Sequence, residues 1–245
     1  MTMEDASTEE ISNVQVLRAR LEQADPEAKG IDNATLRRFL RARSLNVEKA
    51  LKFLLQHLQW LQDFKPCGYI DESDIKNELR KEKLFLQGVD KQGSPIAVLL
   101  ASQHKTSDRD LEEFKRFVVY AFDKAIMSLE QTQEKFVLIA DLEGCGCKHI
   151  DLVGYLEALK ILQDHYPERL GKLFMLNVPL AFQSAWQIVS KFMDPNVRKK
   201  IVFVNKKKVL ETLTNDIDIS QLPRHFGGEL PMIPIQHVGS KQEIS

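Results

Sequence analysis

Two sets of residues in this 245-residue chain are of types that do chemistry. The first is Asp141, Glu143, Cys145, Cys147 and His149, which follow directly on an apolar run, residues 136–142. Carboxylates beside a thiol and an imidazole are the components of a nucleophilic or general acid–base site. α/β enzymes place such groups where strands end. The plainer reading is a solvated loop. The second set is basic. Arg37, Arg38, Arg41 and Arg43 crowd one short stretch, and Arg198, Lys199, Lys200, Lys206, Lys207 and Lys208 bracket an apolar run at residues 201–204. Such groups suit an anion or an anionic surface, or simply a solvated face.

Several common chemistries lack their motifs. The run 136–142 leads into Glu143-Gly144-Cys145-Gly146, with no GxGxxG and no phosphate-cradling GKS/T. There is no Gly-x-Ser-x-Gly elbow and no His-Glu-x-x-His. The chain has three cysteines, and Cys145 and Cys147 have no second ligand pair nearby, so neither zinc nor another metal is expected. Reduced thiols fit a cytosolic protein. A net charge of −1 argues against a general nucleic-acid binder. The first residues, MTMEDASTEE, are too acidic and polar for a secretory signal, and the apolar runs are too short to span a bilayer.

Periodicity supplies the elements that would position these groups. Residues 1–8 and 236–245 read as disordered ends. A helix is expected over 9–23, a second after Asp32 or Asn33 with Leu36, Phe39 and Leu40 inward, and a third from Asn46 to Phe64. These make a first tail and helix, residues 1–30, and a helical module, 31–72. Strands are expected at 84–89 and 95–100, joined by an Asp90–Gly93 turn. A helix from Ser107 or Asp108 to 130, a strand at 136–142, a helix at 150–166 and strands at 173–178 and 201–204 follow, with Lys206 to Thr214 helical. Strands alternating with helices over 73–235 predict a largely parallel sheet. Between the last two strands, residues 179–193 read as an amphipathic helix. Phe182, Trp186, Val189, Phe192 and Met193 fall on its bulky face, together with Ala181, Ala185 and Ile188. That face either covers a sheet or lines a cavity and swings outward.

TLRRFLRAR at 35–43, IADLEG at 139–144, YPERLGK at 166–172, NVP at 177–179, FMDP at 192–195, Lys200-Ile201 and LPRHFGG at 222–228 occur together in order. In these the chain resembles the CRAL-TRIO lipid-binding proteins, in particular the cytosolic phosphatidylinositol transfer proteins of the secretory pathway. The resemblance implies an α/β fold. A small N-terminal helical module would pack on a mixed, mostly parallel sheet whose flanking helices enclose a lipid cavity. Residues 179–193 would be its gate, with Phe136, Leu138 and Ala140 in the cavity. It implies no catalysis and no cofactor. The ligand would be phosphatidylinositol, with Arg43, Glu168 and Lys200 on the headgroup. Two positions depart from the pattern: Ser44 stands where lysine is common and Val197 where threonine is.

Relatives that bind phosphatidylcholine carry hydroxyl side chains where this chain has Ala97, Phe136 and Leu138. Losing polar partners in a buried site disfavours a polar headgroup there. The expectation is therefore phosphatidylinositol plus a second, more apolar lipid. The protein would be a cytoplasmic monomer, peripherally associated with membranes, exchanging lipid or presenting it to a phosphoinositide kinase. Arg198, Lys199, Lys206, Lys207 and Lys208 would face the membrane. A protein-interaction or small-GTPase regulatory module without cargo is the second expectation, with Phe136 and Phe174 filling the cavity, and a lipid-ester hydrolase the third.

Overall fold

The structure, a computed structural model, describes residues 7–130 and 133–238. Most of the ends expected to be disordered thus lie outside the described residues. Two compact units are distinguished. One is Met1–Ile70 with Leu162–Glu168, the other Asp71–Ile161 with Arg169–Ser245.

The first unit is built on α1 (Thr8–Ala24), α2 (Asn33–Arg41) and α3 (Val47–Phe64). Each starts at a short polar residue whose side chain accepts a free helical N–H. Ser7 accepts from Glu10, Asp32 from Thr35 and Asn46 from Lys49. Leu17, Leu21, Leu36, Leu40, Ala50 and Leu54 are fully buried between them. The arginines are not a uniformly solvated face. Arg38 is buried and donates to Thr35 Oγ1 at 2.6 Å, and Arg41 pairs with Glu10 at 2.7 Å. In the same unit the Trp60 and His165 rings stack with centroids 3.7 Å apart, and His57 Nδ1 lies 3.4 Å from His165 Nδ1.

The second unit holds one five-stranded sheet in the order β1 (Leu84–Val89), β2 (Pro95–Leu100), β3 (Phe136–Asp141), β4 (Leu170–Leu176), β5 (Ile201–Val204). β1 and β2 are antiparallel and the other pairs parallel. The Asp90 carboxylate closes the hairpin by accepting the Gln92 and Ser94 amides. A short α4 (Lys76–Leu79) precedes the sheet, and α5 (Leu111–Met127), α6 (Leu152–His165), α7 (Phe182–Val189), α8 (Pro195–Arg198) and α9 (Val209–Asp216) follow in turn.

Alternate strand residues face opposite sides. Val98, Val137, Ile139, Phe174, Leu176 and Val204 face one side, sealed by Leu213, Ile217, Leu222 and Phe226. The LPRHFGG segment can fold this tightly because Gly228 has no side chain, whose Cβ would lie 2.1 Å from the Leu222 carbonyl oxygen. Phe174 is therefore on the sealed face and not in the cavity, contrary to expectation.

Several boundaries move. β4 begins at Leu170, because Phe136 pairs with Leu170 through an irregular register. α5 begins at Leu111, capped by Asp110. The expected helix over 179–193 contracts to α7, since residues 180–181 and 190–193 form turns and bends and α8 starts separately after Asp194. Phe192 leaves the helical wheel there and is 64% exposed.

Burial, aided by Lys65 and Arg38, pushes His57 down to about 4. A group neutral when folded and ordinary when unfolded contributes stability that is lost as pH falls between about 6.5 and 4. The loss attached to His57 is on the order of 3 kcal/mol. Thermal unfolding followed by tryptophan fluorescence across this range is expected to show the fall. His57→Gln is expected to flatten it.

Candidate functional site

The sheet face opposite the sealed one holds a cavity of about 170 Å³. Its floor is Ala97, Leu99, Phe136 and Leu138, alternate residues of β2 and β3 that the strand pleat turns to this side. Phe114, Phe117, Val118, Ala121 and Phe122 from α5 form one wall, and Tyr155 and Ala158 from α6 another. Phe122 lies against Phe136 with ring centroids 5.8 Å apart.

α7 lies farther along the same face. Phe182 and Ala185 are buried against Ala140, Leu142 and Met175, while Val189 packs with Met193 and Leu159. Trp186 meets Phe203 edge to face at 5.0 Å. The outer side is unusually apolar: Leu180 is 81% exposed, Phe192 64%, Phe203 49% and Ile188 40%. Arg198, Lys199, Lys206, Lys207 and Lys208 are exposed on the segments flanking β5.

One end of the cavity is polar, through residues the sequence patterns did not point to. Lys83, just before β1, is 2% exposed and bonds to Glu78 Oε2. Its Nζ also lies 3.0 Å from His104 Nδ1. His104 Nε2 is 3.0 Å from Asp151 Oδ2, and Asp151 accepts both Arg109 bonds at 2.7 and 3.0 Å and the Gly154 amide. Burial opposes ionisation of Asp151, but the Arg109, Gly154 and His104 hydrogen bonds outweigh it and hold the carboxyl low. His104 is pushed down by burial and by Lys83. Burial also pushes Lys83 down, to about 8, although Glu78 works the other way.

The acid, thiol and imidazole set after β3 is brought together only as structure. Asp141 Oδ1 accepts the Glu143 amide and Asn177 Nδ2, and Oδ2 pairs with His225 Nε2 at 3.0 Å. His149 Nδ1 accepts the Gly146 amide at 2.8 Å. Glu143 and Cys145 border an open cleft of about 590 Å³ with Asn177 and Lys206, and Lys206 pairs with Glu143. Among the described residues no group of three or more histidine, cysteine or acidic side chains is placed to hold a metal.

The residues expected on a headgroup divide between the units. Arg43 and Glu168 belong to the first. Arg43 lies 3.5 Å over the Phe53 ring and donates to the Ala42 carbonyl, and half-buried Glu168 adopts φ +59°. Lys200 belongs to the second, half-buried, with its carbonyl accepting the Leu173 amide at 2.9 Å.

A family model described as CRAL/TRIO domain matches residues 79–228. The chain belongs to the CRAL/TRIO family. It is 29% identical over 209 residues to the phosphatidylinositol transfer protein CSR1 of Eremothecium gossypii, covering 81% of this chain and 47% of that protein. It is 31% identical over 245 residues to the phosphatidylinositol/phosphatidylcholine transfer protein SFH12 of Arabidopsis thaliana, covering 90% and 44%. The chain thus spans about half or less of the curated relatives it matches. The crystal structure of Sfh5 superposes with a TM-score of 0.68 at 17% identity, covering 86% of this chain and 85% of that one, which shows the fold. Among the described residues of this CRAL/TRIO chain, no helix is long and apolar enough to cross a membrane.

Burial, and Asp141 beside it, push the Cys145 thiol up to about 11, whereas Cys67 and Cys147 are exposed. The thiolate is the reactive form. Alkylation with iodoacetamide near pH 8, read by peptide mass spectrometry, is expected to label Cys67 and Cys147 at least about tenfold faster than Cys145.

Proposed function

We propose that this chain binds lipid in the cavity on the sheet face that α7 also covers, and exchanges or presents it at membranes, without catalysing a reaction on it. The observation that carries this is the pairing of an apolar cavity with a short segment, α7 and the turns at its two ends, that buries some apolar side chains and exposes others. Phe182, Ala185 and Val189 are buried inward, and Leu180, Ile188 and Phe192 are exposed outward. A lid that leaves an aqueous protein for a bilayer needs both surfaces. The names of the relatives, which are transfer proteins for phosphatidylinositol, support the same reading.

Each buried CH₂ contributes about 0.8 kcal/mol, so an acyl chain stays enclosed until a membrane receives it. The closed cavity of about 170 Å³ is below the roughly 300–1,000 Å³ of ordinary ligand pockets. Loading therefore requires α7 to move and the cavity to widen. Arg198, Lys199, Lys206, Lys207 and Lys208 would steer the approach to anionic lipid, at about 1 kcal/mol per charge near the surface.

The primary ligand in this reading is phosphatidylinositol, with Lys200 of the second unit on its headgroup. Ala97, Phe136 and Leu138 line the cavity and offer no hydroxyl to a choline lipid, so a different second lipid shares the protein. It acts as a monomer in the cytoplasm, visits membranes transiently and serves a phosphoinositide kinase as donor. The small closed volume favours one other reading, an interaction module with no exchangeable lipid.

Incubating the full chain with mixed liposomes and identifying co-purifying lipid by mass spectrometry tests this. Phosphatidylinositol near one per protein, with phosphatidylcholine at least about tenfold lower, is expected. Ala121→Phe, which fills the cavity from α5, is expected to abolish loading. Comparable phosphatidylcholine loading sinks the specificity, and absence of any stoichiometric lipid favours the interaction module.

Leu180→Asp with Phe192→Asp changes only exposed side chains. In vesicle sedimentation this pair is expected to weaken binding to phosphatidylinositol-containing vesicles at least about tenfold while leaving the thermal midpoint within about 2 °C.

A further inference from the structure

Among the described residues lining the cavity, only Lys83 carries a fixed charge. An ammonium has three N–H bonds. Glu78 Oε2 takes one and His104 Nδ1 a second at 3.0 Å. The third is left on the side of the Phe114 and Phe117 rings, whose centroids lie 5.0 and 4.9 Å from Nζ and which are themselves cavity walls. The His104 tautomer follows from this network. Asp151 is held ionised by Arg109, so His104 Nε2 carries the proton it shares with Asp151, and Nδ1 is the bare acceptor facing Lys83.

Of the charged groups at this end only Lys83 lines the cavity. Lys81, Lys83 and Arg109 are three cations, and Glu78 and Asp151 are the two carboxylates they bind. His104 adds no charge while it accepts from Lys83. A third carboxylate, Glu113, lies nearby and accepts the Asn77 and Glu78 amides at the start of α4. A buried cation with a spare donor, in an apolar chamber, is matched by one acceptor with negative charge and a hydrocarbon body. Charge-assisted bonds of this type are roughly twice as strong as neutral ones. The volume admits one chain far more readily than two.

We propose that the second lipid is a single-chain amphiphile ending in a carboxylate, its head on Lys83 Nζ and its chain along Leu99, Phe114 and Phe117. This rests on the lipid-binding reading and names the ligand class that reading left open. It also explains how a site without hydroxyls at Ala97, Phe136 and Leu138 still offers a polar contact. That contact comes from the strand-leading Lys83 instead. Because burial holds Lys83 at about 8, carboxylate preference is a property of the protonated amine. It is present below that pH and fades above it.

The test uses the delipidated full chain and three probes of equal chain length: dodecanoate, dodecanol and methyl dodecanoate. Calorimetry near pH 7 is expected to show dodecanoate binding at least about tenfold tighter than either neutral probe, with the preference lost near pH 9.5. Lys83→Met combined with Glu78→Gln, so that no carboxylate is stranded, is expected to remove the preference near pH 7 while dodecanol still binds. Equal affinities for the three probes near pH 7 would overturn the proposal, as would a preference that survives in the double variant. The wild-type comparison stands whether or not the variant folds. Phosphatidylinositol loading of the same preparation separates the two levels. Normal loading without carboxylate preference refutes this inference alone. No loading of phosphatidylinositol or any probe refutes the lipid-binding reading beneath it.

Discussion

A parallel strand pair needs a crossover, and crossovers are right-handed. In this sheet the order from β2 to β5 never reverses, so every crossover falls on the same side. That single constraint puts α5, α6 and α7 on one face and leaves the other for the C-terminal segment, where Leu213, Ile217, Leu222 and Phe226 close it. The two faces then have different jobs. Phe174 and Ile139 are fully buried in a packed layer. Their neighbour Leu138 looks into a space walled by α5 and α6, whereas Ala140, expected in the cavity, is packed under Phe182 and Ala185 of α7.

α5 is seventeen residues and α7 only eight, and the cavity walls come from α5 and α6. α7 buries Phe182, Ala185 and Val189 and exposes Ile188, while Leu180 and Phe192 are exposed on the turns at its ends. In water the inward position is preferred. One end of the cavity carries a chain of paired charges from Glu78 through Lys83, His104 and Asp151 to Arg109. Buried charges are tolerable only when each has its partner, and here Lys83 has Glu78 and Arg109 has Asp151.

Much of this was legible in the sequence because it is local. Asp32 and Asn46 cap their helices through bonds three residues away, and such bonds read directly from composition. The hairpin turn at Asp90 and Gly93 does too, and so do the alternating apolar runs of β2 and β3. The spaced motifs from residue 35 to 228 carried the family. The helix over 179–193 was overestimated for an equally local reason. An apolar period continued through Phe192 and Met193, but the chain had already left the helix, and Phe192 turned outward.

The rest was decided by register. Asp141 and His149 stand close together after a strand in the way catalytic groups do. Only the fold shows Asp141 spent on Asn177 and His225, residues 36 and 84 positions away. Lys83 looked like any lysine beside a strand, since nothing within a helical turn or a strand repeat marks it. Its acceptors come from α4, from the loop after β2, and, through His104, from the start of α6. The sequence by itself determined which segments are helix or strand, and the family, because those follow from periods and caps a few residues long. Which side chains share the cavity, and which charge waits at its end, were decided by the pairing of distant strands, which no local pattern encodes.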